Sequence, residues 1–405
     1  MKSIRSKLAL ASCTLLTHGV QAADGYSDWG TGASYMRYSE ADDRVTVDKL
    51  VGTVGTELSD NASVQVDVIY DTMSGATPTG AVQQSSIAAV TTPSSGGSAL
   101  GTSGGTAALS TFSDTRVALD VDWEQYFSRL FKANFGGSVS VESDYESYGV
   151  SINVSQDSSN RMTSYTAGVA YTWDTIYQTG GGTPDPLGDV EDGNFFGKGD
   201  RSTWDAIVGI TRILNRRTIA QLNYYHGQSS GYHTDPYKVI SRVDENDIEM
   251  ERYFESRPDS RARNAVYTAM AHQLAGDKQV IHLSYRYYWD DWDVKSHTLD
   301  MKYRWDLSSG SYLRPRLRLY NQTAAKFFYH GISRTVDIDS LEYASADPRL
   351  DDMSSATLGL KYGKELPKNS DLGVRMEYYY QTFEEAEFDT NKAYIIQLSY
   401  QKAFR

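Results

Sequence analysis

In run after run from Trp29 onward, apolar or aromatic side chains occupy every second position, with small or polar residues between them. This period of two is the signature of a half-buried strand, and it constrains the fold more than any other feature of the chain. Tyr165, Ala167, Val169, Tyr171 and Trp173 alternate with Thr166, Gly168, Ala170 and Thr172; Ile281, Leu283, Tyr285, Tyr287 and Trp289 alternate with His282, Ser284, Arg286 and Tyr288. Runs of this kind predict strands near 30–39, 45–57, 63–72, 113–126, 130–142, 146–156, 162–177, 202–214, 217–229, 261–274, 279–289, 293–306, 312–326, 353–366, 372–383 and 391–404, an even set of about sixteen. Helical spacing is scarcely visible.

The connections sort by parity. After even-numbered strands the links are short and rich in Asn, Asp, Gly and Ser, as at Ser59-Asp60-Asn61, Asn215-Arg216 and Pro367-Lys368-Asn369-Ser370. Every long link, 73–112, 178–201, 230–260 and 327–352, follows an odd-numbered strand. A transmembrane antiparallel up-and-down β-barrel with short periplasmic turns and long external loops predicts this asymmetry; a secreted all-β sandwich or solenoid gives no reason for it. Closure follows from the solvent, because each unpaired backbone N–H or C=O in hydrocarbon costs several kcal/mol and a spanning sheet can have no free edge.

Composition agrees. The 405 residues are 40% hydrophobic and 22% charged, without an apolar run near the roughly 18 residues of a membrane helix. The single Cys, Cys13, excludes disulfide frameworks and Cys-ligated metal centres. Residues 1–22 read as an export signal: Lys2, Arg5 and Lys7 precede the apolar stretch Leu8 to Leu16, and Val20-Gln21-Ala22 offers small residues for cleavage. Leu10-Ala11-Ser12-Cys13 offers the competing reading of a lipobox, with a shorter apolar core. A barrel over 23–405 then remains, destined for the outer membrane of a Gram-negative bacterium. The formal net charge of −13 becomes still more negative without the leader, which argues against nucleic acid as a partner.

Aromatic residues are expected in two belts at the headgroup levels. Tyr70, Trp173, Trp204, Tyr224, Trp289 and Tyr380 fall near predicted external strand ends, and Trp123, Phe131, Trp305, Tyr362, Tyr400 and Phe404 near periplasmic ones. The last strand, with Tyr394, Ile396, Leu398, Tyr400 and Phe404 on one face, resembles the carboxy-terminal recognition strand read by the barrel-assembly machinery, although Arg405 follows the aromatic. Outer-membrane lipid and that machinery are the expected partners.

Turning the polar face of each strand inward gives a lumen with two unlike walls. One is acidic: Asp67, Asp71, Asp120, Asp122, Glu124 and Glu142 against Arg116 and Lys132. The other is basic: Arg286, Lys302, Arg304, Arg314, Arg316 and Arg318 against Asp300. A symmetric turn at Gly310 would place Arg304 opposite Arg314, Lys302 opposite Arg316 and Asp300 opposite Arg318, and like charges in register destabilise a ladder. Something negative is expected to meet this stripe: the acidic loop segment Asp244, Glu245, Asp247, Glu249 and Glu251 folded inward, mobile anions, or bulk water.

Chemistry beyond the lumen is thin. Gly101-Thr102-Ser103-Gly104-Gly105 matches a nucleophile-elbow pattern but lacks its required context. The His residues show no metal-binding spacing. Asp290-Asp291-Trp292-Asp293 and Asp347-Pro348-Arg349-Leu350-Asp351-Asp352 could chelate a hard cation, and turn formation explains them as well. No cofactor, resident metal or enzymatic activity is expected.

At Ser256-Arg257-Pro258-Asp259-Ser260-Arg261, at Leu283-Ser284-Tyr285-Arg286-Tyr287-Tyr288 with Asp291-Trp292, and at Ser296-His297-Thr298-Leu299 and Tyr303-Arg304-Trp305, the chain resembles a proteobacterial outer-membrane β-barrel family catalogued as a domain of unknown function. The resemblance covers nearly the whole mature chain and implies the barrel and its compartment, with no catalytic residues to carry over. Arg257, Asp259 and Arg261 are expected either to clamp the 230–260 loop or to form part of a partner site. The functional expectation is a porin-like channel passing or binding small polar solutes, the alternative a non-conducting barrel serving as partner or scaffold of an exported assembly.

Overall fold

The computed structural model describes residues 30–41, 44–82, 90–91, 99–100, 109–178, 181–274, 279–307 and 310–403. The expected export signal, the Gly101–Gly105 motif, Phe404 and Arg405 lie outside them. Sixteen antiparallel strands form one closed barrel. They are β1 (Gly30–Glu40), β2 (Val45–Ser59), β3 (Ala62–Pro78), β4 (Leu109–Tyr126), β5 (Phe131–Val141), β6 (Tyr145–Asp157), β7 (Thr163–Ile176), β8 (Gly199–Asn215), β9 (Thr218–Gly231), β10 (Ser260–Gln273), β11 (Gln279–Asp290), β12 (Lys295–Asp306), β13 (Ser311–Gln322), β14 (Met353–Leu366), β15 (Ser370–Phe383) and β16 (Thr390–Ala403). Each pairs with its neighbours in sequence, and β1 closes on β16 from Gly30↔Ala403 to Glu40↔Ala393.

Alternation dictates which way each side chain points. Val117, Leu119, Val121 and Trp123 of β4 are exposed on the outer face, as are Val68 and Tyr70 of β3 and Leu358, Leu360 and Tyr362 of β14. The residues between them face inward. A continuous apolar exterior of this size is incompatible with water and compatible with lipid tails. Trp173, Trp204, Tyr224 and Tyr380 are exposed toward one rim, and Trp123, Trp305, Tyr362 and Tyr400 toward the other.

The two ends of the barrel differ. At one, turns such as 60–61, 216–217 and 367–369 join the strands; at the other lie connections 79–108, 177–198, 232–259 and 323–352. Gly310, at φ +69°, takes the left-handed conformation that the β12–β13 turn requires. The β3–β4 hairpin is taller than its pattern suggests. Pairing continues from Met73↔Asp114 to Pro78↔Leu109, so 73–78 and 109–112 belong to strands rather than to the loop. Ladder hydrogen bonds need no apolar side chains, so strand beyond the lipid leaves no periodic mark.

The long connections fold upon one another. Val239–Val243 pairs antiparallel with Glu249–Phe254 and parallel with Ile332–Ser333. One apolar cluster joins Ile240, Ile332, Ala344 and Ala346; another joins Trp292, Val294, Ala325, Phe327, Phe328 and Leu350. Loop is thus packed on loop, with cores of its own.

Candidate functional site: the charged lumen and its loop cap

The inward positions carry charge in a pattern set by register. On the first wall Asp67 stands directly opposite Asp120, and Gln65 opposite Asp122. Asp67 accepts hydrogen bonds from Thr53 and, at 2.8 Å, from Gln65. Asp71 takes Arg116 at 3.1 Å, Glu124 takes Lys132 at 2.6 Å, and Glu142 lies 4.0 Å from Arg116. Two acids that periodicity did not single out, Asp114 and Asp144, join Glu142, with carboxylate oxygens all within 4.8 Å of one another. Burial first, then the charge of Asp114, pushes the Glu142 carboxyl up to about 7.

On the second wall Lys302 faces Arg316 and Asp300 faces Arg318 across β12 and β13, and Trp305↔Leu313 keeps the same register through Arg304 and Arg314. Like charges do meet here. Carboxylates relieve part of the cost: Arg316 holds Asp300 at 2.5 Å and Glu377, from β15, at 3.1 Å. Arg304 binds Asp306 at 2.7 Å and stacks over Tyr312 at 3.8 Å. Glu377 lies two strands on from Arg316 and belongs to no charge run, so only the register reveals it.

Above the lumen an ionic hub, buried except at the exposed Arg349 and partly at Asp235, joins the loops. Arg257 donates to Asp347 at 2.7 Å and lies 2.7 Å from Glu255, while Arg349 bridges Asp347 and Asp235, the latter at 2.7 Å. Lys238 donates to the carbonyl of Pro78, tying in the top of β3. Three cations thus face three carboxylates. Burial works against the charge on Asp347, yet Arg349, Lys238 and Arg257 together hold its carboxyl well below the ordinary range. Burial dominates at Glu255 and pushes it up, even with Arg257 beside it.

Within the 256–261 motif the residues separate. Arg257 is in the hub; Arg261 pairs with Asp290 at 2.6 Å and lies 4.1 Å over the Trp292 ring; Asp259 is exposed, and its carbonyl accepts from Gly231 N–H at 2.7 Å. The Asp290 carboxylate also accepts from the N–H groups of Trp292 and Val294, each at 3.0 Å, so it closes its own turn. The acidic segment 244–251 does not enter the lumen. Glu245 is 75% exposed and pairs with Arg334, and only Glu249 is buried, with Arg252 at 2.6 Å. Its sharp turn projects the charges outward, where water solvates them.

What reaches the lumen instead is the hub. A cavity of about 1190 Å³ is bounded by hub residues Asp235, Lys238, Asp347 and Arg349, by Asp114 and Glu142 on one side, and by Arg316, Arg318 and Glu377 on the other. Tyr38, Tyr320 and Tyr379 complete its wall. The space is polar, aromatic and bipolar, which suits a small solute carrying charge.

A family model described as "Protein of unknown function (DUF3570)" matches residues 5–400. No curated protein matches the chain. Among solved structures, the siderophore receptor PirA from Acinetobacter baumannii is similar at 10% identity and TM-score 0.44, over 90% of this chain and 55% of the receptor. The chain thus spans about half of that receptor's length. OccK1 (OpdK) from Pseudomonas aeruginosa is similar at 7% identity and TM-score 0.40, over 93% of this chain and 98% of that one. A bacterial polysaccharide outer membrane secretin is similar at 8% identity and TM-score 0.46, over 94% and 100%.

Proposed function

The chain belongs to this family of proteins of unknown function (DUF3570), and we propose that it is an outer-membrane, porin-like channel that passes or binds small polar solutes in a lumen of opposed charge. One observation carries the reading: the cavity of about 1190 Å³ is walled on both sides by inward-facing charged side chains and bounded at the long-loop end by the ionic hub. A barrel that served only as a membrane plug would fill this space with apolar side chains and avoid the cost of like charges in register. The charges instead shape a field across the path, as rings of charged side chains do in channels. Asp67, Asp71, Asp120, Asp122, Glu124 and Glu142 form its acidic side, and Arg286, Lys302, Arg304, Arg314, Arg316 and Arg318 its basic side. Arg257 and Arg261 act as clamps that keep the loops in place over it.

The test is conductance of the purified protein in a planar bilayer. Discrete openings whose ion preference changes in Arg318→Glu are expected. Inserted, heat-modifiable barrel without conductance would remove the reading. The second reading, a barrel that presents its loops to an exported partner, is favoured by the exposed Phe195, Phe196, Ile248 and Met250 at the long-loop end. A stoichiometric partner co-purifying in detergent, lost on changing these residues to Ser, is its expected sign.

A further inference from the structure

Most of the arginines on the basic side of the lumen have a carboxylate. Arg261 has Asp290, Arg263 has Asp205 at 3.4 Å, Arg316 has Asp300 and Glu377, and Arg375 has Glu377 at 3.7 Å. Arg286 and Arg318 differ. Neither makes an ion pair or hydrogen bond with a carboxylate among the described residues. Register explains why. Arg318 stands opposite Asp300 on one flank and Thr357 on the other, but Asp300 is held by Nε and Nη2 of Arg316, at 3.0 and 2.5 Å. Arg286 stands between Tyr267 and Thr298, neither of which can neutralise it. Its guanidinium lies 5.4 Å over the Tyr288 ring, and its Nε is buried without a hydrogen-bond partner.

The two arginines are near each other. Arg286 pairs with Thr298, Thr298 with Tyr320, and Arg318 lies one inward row from Tyr320 on β13. With strands about 4.8 Å apart, this places their Cα atoms roughly 12 Å from each other, a span that two long side chains close around one small group. Of the strand between them only the short Thr298 stands opposite Arg286, and Arg318, with Thr357, Tyr320 and Tyr379, lines the cavity itself. A buried N–H donor left unmade, beside a second uncompensated positive charge, is costly unless a ligand supplies the acceptor.

We propose that Arg286 and Arg318 form an anion-recognition site for the carboxylate of a small organic acid, whose body lies against Tyr320 and Tyr379. The inference deepens the channel reading and rests on it for the path by which the acid arrives, but the site itself is an equilibrium property of the folded barrel. The head group takes the two arginine forks, and the tyrosine faces accept a flat or hydroxylated body.

Calorimetric binding in detergent tests this separately from conductance, with benzoate as probe and benzamide as its uncharged counterpart. Wild-type protein is expected to bind benzoate at least tenfold more tightly than benzamide. The double variant Arg286→Gln/Arg318→Gln is expected to lose that preference while keeping heat-modifiable migration, and Arg216→Gln, in a turn at the opposite end, to keep it. Equal binding of the two probes by wild type, or an unchanged preference in the double variant, overturns the site; the first comparison holds even if the variant does not fold. Benzoate binding without conductance keeps the site and removes the channel, and conductance without benzoate preference does the reverse.

Discussion

Arg257 and Asp347 stand 90 positions apart in the chain and meet at 2.7 Å, joining the 232–259 connection to the 323–352 connection beneath their surface. Both are almost wholly buried, and Arg257 also neutralises Glu255. Arg257→Met would leave two buried carboxylates short of one cation, a change that costs about 3–5 kcal/mol in comparable buried pairs. No barrel ladder depends on it. Limited proteolysis is therefore expected to cut the variant within 232–259 and 323–352, while its heat-modifiable migration stays that of wild type. The sign with pH follows from Asp347, whose carboxyl is held below its unfolded value. Its contribution is full above about pH 4 and is lost as pH falls through the folded value, so wild-type loops should resist protease at pH 5 and yield under stronger acid.

Leu358 is 63% exposed near the middle of β14, on the face that the apolar pattern turns outward. If that face meets lipid tails, Leu358→Arg places a charge at depth and costs about 2–4 kcal/mol. Ser355→Arg, on the inward face of the same strand, meets water instead. Urea unfolding in lipid vesicles should show the first variant destabilised by that order and the second much less. Equal effects would mean that the outward face does not meet lipid tails, and a larger cost for Ser355→Arg that the two faces are exchanged.

The barrel was legible because lipid on one side and water on the other impose a period of two that nothing else in the chain competes with, and because turn chemistry marks each reversal. The opposition of Lys302 and Arg316 could likewise be read from a symmetric turn at Gly310. The loop cap could not. Ile240, Ile332 and Ala344 come from two connections and have no common spacing, so only tertiary packing brings them together. Glu377 was missed for the same reason, since its meeting with Arg316 spans the intervening strand β14. Asp114 and Asp144 carry no periodic mark either, because one stands at the top of β4 and the other in the β5–β6 turn, and only the fold brings them to Glu142.

Arg316 sets the charge around Arg318 through the carboxylates it holds. It holds Asp300 on one side and Glu377 on the other, and it is the reason that Arg318 lacks its register partner. Arg316→Gln removes that competition. Arg375 remains 3.7 Å from Glu377, while Asp300 is free to turn toward Arg318 and neutralise it. Benzoate binding is expected to weaken severalfold although neither Arg286 nor Arg318 has changed, and adding Asp300→Asn to Arg316→Gln is expected to restore it. If the single variant binds as wild type does, the account of how Arg318 comes to be unpaired is wrong.

Glu142 gives the lumen a pH dependence in the neutral range. It lies in the turn between β5 and β6, 4.0 Å from Arg116 and beside Asp114 and Asp144, and its carboxyl is pushed up to about 7. A carboxyl whose folded value is raised favours the folded state at acid pH; that contribution is full below about 4.5 and is lost as pH rises through 7. Over the same interval the cavity gains one negative charge on its acidic side. Reversal potentials in a KCl gradient are thus expected to move toward cation preference between pH 5 and 8, with a midpoint near 7. Glu142→Gln should remove the midpoint and make the protein more stable than wild type at pH 8. A wild-type reversal potential that does not change across this range would show that Glu142 is ionised throughout or lies off the ion path.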